Sequence, residues 1–197
     1  MWAMVKAGQV IAVYPRPKAI TIDGIQHPST IFTAWSVEQK KAFGIYDYSE
    51  VNANPDRRYY SQGTSETVVN DSAGTVVKTW TPAAKNLADT GSKGDNNYQA
   101  GVKTLEIDRV KSTAASLLQG SDWLAIRAAE GGTAVPSAVA TYRASVRTKS
   151  NSMETAITNA ANLDAVIALD VNTYHANGAI NAVATLQDWP EVPDVLK

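Results

Sequence analysis

The apolar residues of this 197-residue chain change their spacing once, and that change constrains the fold more than any other feature. Through residues 1–81 they stand in short runs, rich in β-branched and aromatic types and broken by turn residues, which is the pattern of strands. From residue 99 they recur at helical spacing instead. Between the two, Leu87-Ala88-Asp89-Thr90-Gly91-Ser92-Lys93-Gly94-Asp95-Asn96-Asn97 has little to bury and reads as a linker or exposed loop over 82–98. The expected class is α+β: a β-rich N-terminal half with hairpins (1–81), a small C-terminal helical bundle (99–171), and an extended C-terminal tail (172–197). That length fits one large domain or two small ones.

Within the first half, Met4-Val5 and Val10-Ile11-Ala12-Val13-Tyr14 flank Lys6-Ala7-Gly8-Gln9 and predict a hairpin. Pro15 and Pro17 end its second strand, since proline has no N–H for the ladder. Asp23-Gly24, between Ala19-Ile20-Thr21-Ile22 and Ile25-Gln26-His27, is a two-residue turn signal. Ser36-Val37-Glu38-Gln39 has the form of a capping box that opens a short helix, and Gly44 is placed to close it in the left-handed region. Ile45 to Tyr48 then resumes extended structure. A further hairpin is expected over 57–81, turning at Asn70-Asp71-Ser72-Ala73-Gly74.

In the second half, Val102, Leu105, Val110, Ala114 and Leu117 predict a helix over 99–119, ended by Gly120. Ser121 and Asp122 are placed to cap a second helix, stopped by Gly131-Gly132. Pro136 suits the first position of a third, expected to reach Lys149. Ser152 is read as the cap of a fourth, and Asn162 as the cap of a fifth over 163–169.

Charge is balanced, 18 Lys and Arg against 19 Asp and Glu, without the basic excess or stripe that a phosphate backbone demands. No nucleic-acid partner is expected. The absence of cysteine excludes disulfides, thiolate metal sites and a Cys nucleophile. Met1 to Gly8 lacks the basic-then-apolar form of a signal peptide, and no run reaches the ~18 apolar residues of a membrane helix. A soluble protein made in the cytoplasm, with no membrane partner, is expected.

No catalytic, cofactor or metal residues are assigned. His27 and His175 stand alone, without ligand-type neighbours at metal spacing, and no zinc-protease, nucleophile-elbow or phosphate-loop motif occurs. Gly91, Gly94 and Gly101 have the wrong spacing for a phosphate cradle and no apolar strand leading in. Glu106/Asp108 and Asp47/Glu50 have ordinary surface spacing. Of the five tryptophans, Trp123 lies in a periodic helical stretch and is expected in the core; for Trp2 and Trp189, near the ends, core and interface both stand open.

The run Ala115-Ser116-Leu117-Leu118-Gln119-Gly120-Ser121-Asp122-Trp123-Leu124-Ala125-Ile126-Arg127, followed by Val135-Pro136 and Tyr142-Arg143 with Arg147, resembles the helical end of phage tail-fibre assembly chaperones. Trp35-Ser36-Val37-Glu38-Gln39, running on to Gly44-Ile45-Tyr46, resembles a segment of tail-associated proteins of the same sort. Together the two stretches cover about a quarter of the chain.

The missing cysteine, isolated His27 and His175 and absent motifs point to a non-enzymatic protein, and the resemblance implies one that binds a phage tail-fibre or baseplate protein in the host cytoplasm during assembly, with retention in the virion tail and homo-oligomerisation left open. Arg143, Arg147, Trp2 and Trp189 are the partner-binding candidates. For Arg127, Arg143 and Arg147 a structural role, pairing with Glu130 or a helix C-terminus, stands beside a basic patch for a partner. Asp122 is expected to cap the helix that packs Trp123, with Tyr142, against Leu117 and Leu118. The long β-rich half and the tail, which ends Trp189-Pro190-Glu191-Val192-Pro193-Asp194, suit equally a permanent baseplate or fibre-attachment subunit. A carbohydrate-binding tail module is a third, weaker class.

Overall fold

The computed structural model describes residues 1–196 and is mixed α+β. The chain divides into two compact units, Met1–Ala84 and Lys85 onward.

The first unit runs β1 (Trp2–Lys6), β2 (Gln9–Tyr14), β3 (Ile20–Ile22), β4 (Ile25–His27), α1 (Ile31–Ala34), α2 (Val37–Ala42), β5 (Ile45–Val51), β6 (Tyr60–Asn70) and β7 (Thr75–Ala84). Five strands form one curled sheet in the order β2-β1-β5-β7-β6. The two-residue turns are as the sequence demands. Ala7-Gly8 and Asp23-Gly24 all have positive φ, the conformation of tight hairpin turns. Neighbours pair antiparallel except β5 and β7, which run parallel from Asp47↔Thr75 to Val51↔Thr79.

Alternation along the strands gives the sheet two apolar faces. Ala3, Val5, Tyr46, Tyr48 and Val76 pack on one, with Val10 and Val69 at its margins. Met4 and Ile45 face the other way, against Ile20, Ile22, Ile31 and Phe32. The α2 box is complete: Ser36 Oγ accepts from Gln39 N–H at 3.2 Å and Gln39 Oε1 accepts from Ser36 N–H at 2.9 Å. Gly44, at φ +71°, turns the chain from α2 into β5.

The second unit begins with a loop pinned by Asp89, whose carboxylate accepts from Gly101 N–H (2.7 Å) and Tyr98 O–H (2.9 Å). Then follow α3 (Val102–Gln119), α4 (Asp122–Ala129), α5 (Ser137–Asn159) and α6 (Leu163–Ala168). Asn162 caps α6 by accepting from Ala165 N–H. No helix begins at Ser152. Val146, Met153 and Ile157, all buried, continue one apolar stripe through that point, and α5 runs unbroken for 23 residues. Packing of that stripe outweighs the weak helix preference of Ser150, Asn151 and Ser152.

The tail is not an extended arm. It forms a ribbon, β8 (Thr173–Tyr174) with β9 (Ile180–Ala182), and then short 3-10 turns at Thr185–Gln187 and Asp194–Leu196. Leu186, 4% exposed, joins Val110, Met153 and Ile157 in the core, and Leu186 N–H donates to Leu169 C=O. Gln187 Nε2 donates to Asp170 C=O, and Lys149 pairs with Asp188. Leu186 and the half-buried Trp189 pack on the chain's own helices, while Tyr174, Ile180, Val183 and Val195 stay exposed.

Candidate docking surfaces

The four candidate residues lie in different settings. Trp2 is half-buried beside Phe32, with ring centroids 5.1 Å apart. Trp189 is half-buried between the side chains of α3 and α5, near Val110, Met153, Ala114 and Tyr142. Arg143, 9% exposed, donates to Leu118 C=O (2.9 Å) and Ser121 Oγ (2.7 Å), and pairs with Asp122 at 2.8 Å. It therefore clamps the C-terminal end of α3 and the start of α4 onto α5. Arg147, one turn along, is exposed and makes no ion pair among the described residues.

That clamp changes what Asp122 and Trp123 do. Ser121 occupies the N-cap position of α4, and Asp122 reaches Arg143 instead of capping the helix. Trp123 is not in the core. It is 57% exposed, with Arg127 stacked on its ring at 4.9 Å, while the next residue, Leu124, is 5% exposed. Helical phase explains the exchange: with Leu124 turned inward, Ile126 (58% exposed) faces the opposite side and Trp123 stands about a quarter-turn away from Leu124. Trp189 supplies the large ring near Tyr142 instead. A Schellman motif closes α4, with Gly132 N–H on Arg127 C=O, Gly131 N–H on Ala128 C=O and Gly131 at φ +84°. Replacing Trp123 by Ser should change unfolding stability by less than ~1 kcal/mol, against ~3 kcal/mol for Leu124→Ala, in chemical denaturation.

Glu106 also departs from the surface reading. It is 3% exposed and pairs with Arg109 at 2.6 Å, and Arg109 reaches Asp170 at 3.1 Å. This is a structural ion network between α3 and the end of α6. Helical spacing around Glu106 gave no hint of it, because Asp170 is distant in sequence.

In the first unit, β2 and β6 are the sheet's margins and pair with no further strand among the described residues. A cleft of about 290 Å³, lined by Gly8, Gln9, Val10, Thr67 and Val69, lies between these margins. A larger cleft, about 440 Å³, opens on the other face, between the β1–β2 hairpin, the β3–β4 turn and the end of α2. Beside it His27, Trp35 and Phe43 stack, with centroids 4.9 to 5.5 Å apart.

Along the β5–β7 seam, Glu50 accepts from Tyr48 O–H (2.6 Å) and Trp80 Nε1–H (3.2 Å), and Lys78 covers the Trp80 ring at 4.1 Å. The two hydrogen bonds, Tyr48 first, hold the Glu50 carboxyl below its usual range. Burial, then the bond to Glu50, pushes the Tyr48 phenol up to about 12. A phenol raised above its unfolded value of ~10 favours the fold below that pH, and the contribution disappears as pH rises through 12. Stability should therefore fall across that alkaline interval. Tyr48→Phe should flatten the fall in pH-dependent unfolding, with a remainder from Tyr46, which Asp71 raises in the same way.

Among the described residues no cluster of three His, Asp or Glu side chains is placed to hold a metal ion, and no helix is long and apolar enough to cross a membrane. The described residues form two α+β units that expose several large apolar side chains and, in the first, two strand margins. No protein-family model, curated protein or solved structure matches it.

Proposed function

We propose that this protein is a phage tail-fibre assembly chaperone or fibre-associated protein. It binds the fibre polypeptide in the host cytoplasm, aids its folding or attachment, and acts without catalysis. In this reading a β-rich N-terminal half and a C-terminal helical bundle are two separate contact modules.

The observation that carries the reading is the outward face of α4. The segment that resembles the chaperones is built as a scaffold: Arg143 fastens Ser121 and Asp122, and the next residues, Trp123 and Ile126, stand exposed. Trp and Arg are favoured anchors of protein interfaces. An exposed pair of this kind, with Arg127 over the indole, suits apolar surface on an unassembled partner better than it suits solvent.

Co-expression with the tail-fibre polypeptide tests the reading. A recovered complex and a higher yield of soluble fibre trimers are expected. Equal yields without this protein, and no complex, would refute it. The open margins of β2 and β6 favour a second reading, a permanent baseplate or fibre-attachment subunit, because such margins accept a lasting neighbour. Mass spectrometry of purified virions separates the two: stoichiometric presence supports the subunit, absence the chaperone.

A further inference from the structure

The 440 Å³ cleft of the first unit has a size in the range of ligand sites, ~300–1,000 Å³. Met4, Tyr14 and Ile22 give it an apolar lining. Ile11, 59% exposed, and Phe43, stacked beside His27 and Trp35 yet 42% exposed, line it as well. Two charged residues of opposite sign, Lys6 and Asp23, also line it, and neither makes an ion pair or side-chain hydrogen bond among the described residues.

Opposite charges left unpaired in one cleft are complementary to a ligand that carries both signs. Such a ligand must also present apolar bulk to Ile11 and Phe43. The third component is backbone. β2 contributes Ile11 and Tyr14 to the cleft, and its far side is an unpaired strand margin with free N–H and C=O groups. A small amphiphile would fill the cleft and leave that margin to water. An extended polypeptide can pair with the margin and lower a side chain into the cleft, as in strand addition.

We propose that this cleft and the β2 margin together dock an extended segment of the partner fibre polypeptide. A bulky apolar side chain of that segment enters between Ile11 and Phe43, an acidic residue meets Lys6, and a basic residue meets Asp23. The proposal rests on the assembly reading above and names the surface and the partner chemistry it uses.

The test uses the full chain co-expressed with the fibre polypeptide. A photo-crosslinking benzoyl-phenylalanine replaces Phe43, and in separate preparations Ala42→Trp plugs the cleft and Lys6→Glu reverses one charge. Ala42 and Lys6 are both exposed, so thermal unfolding should stay at the parent value. Crosslinks to the fibre, and affinity weakened about tenfold or more by each substitution, are the expected result. A recovered complex that neither crosslinks at Phe43 nor responds to the substitutions overturns the docking site and leaves the assembly reading standing. Crosslinks to a second copy of this chain overturn the assigned occupant. No recovered complex removes the assembly reading, and this proposal with it.

Discussion

Arg143→Met should destabilise the helical unit by about 2 kcal/mol. Methionine keeps most of the volume but none of the donors. Arg143 currently serves Leu118 C=O, Ser121 Oγ and Asp122, and Ser121 is fully buried. Leu118 C=O keeps other donors, Ser121 N–H and Oγ–H, and the Asp122 side chain, 53% exposed, can rehydrate. The loss is therefore smaller than for stranding a buried charge, which costs ~3–5 kcal/mol. Arg147→Met, at an exposed position on the same helix, should fall within ~0.5 kcal/mol of the parent. Urea unfolding of the two variants side by side checks both. If they are equal, Arg143 does not clamp the α3–α4 corner.

Gly44→Ala should destabilise the first unit by about 3 kcal/mol. The left-handed φ of +71° alone costs a non-glycine residue ~1 kcal/mol. The greater penalty is steric. A β-carbon at Gly44 would lie 2.5 Å from Val5 C=O, on a backbone that Val5 itself fixes by donating its N–H to Gly44 C=O at 2.7 Å. Neither side can retreat without breaking the seam where β1 meets β5. Gly8→Ala is the control: its φ of +74° is equally left-handed, but nothing lies within 4 Å of the added carbon. That change should cost only ~1 kcal/mol. The difference in denaturation midpoint between the two variants separates backbone strain from collision.

The features readable from sequence were those that depend on neighbours within a few residues. Asp23-Gly24 makes its turn, Ser36 and Gln39 make their box, Gly44 takes positive φ and Asn162 caps its helix, because each needs only a local backbone partner. The misreadings all involve distant partners. Ser152 looks like a helix start until Met153 and Ile157 are seen packed with Val110 and Leu186. Trp123 looks like core because indole is large and apolar. It loses that place because Leu124 faces inward and Trp189 arrives from 66 positions further on in the chain. The tail looks extended because its apolar residues have no period, yet Leu186 and Trp189 dock one by one on the helices. The cleft at Lys6 and Asp23 was equally hidden. It joins two hairpins and a helix end, and no single segment carries its pattern.

The parallel pairing of β5 with β7 has a consequence for the order in which the first unit forms. β1–β2 and β6–β7 are hairpins that can close within microseconds, since their ends are adjacent in the chain. The β5–β7 contact must instead close the loop from Val51 to Thr75, with β6 already laid on the outer side of β7. That contact joins the β2-β1-β5 ribbon to the β7-β6 ribbon along a seam five residue pairs long. Until they meet, β5 exposes one margin and β7 another, so a nascent chain passes through a state with four open strand margins where the finished sheet has two. A protein that shields another's unfinished strands would have to complete this seam in its own sheet first.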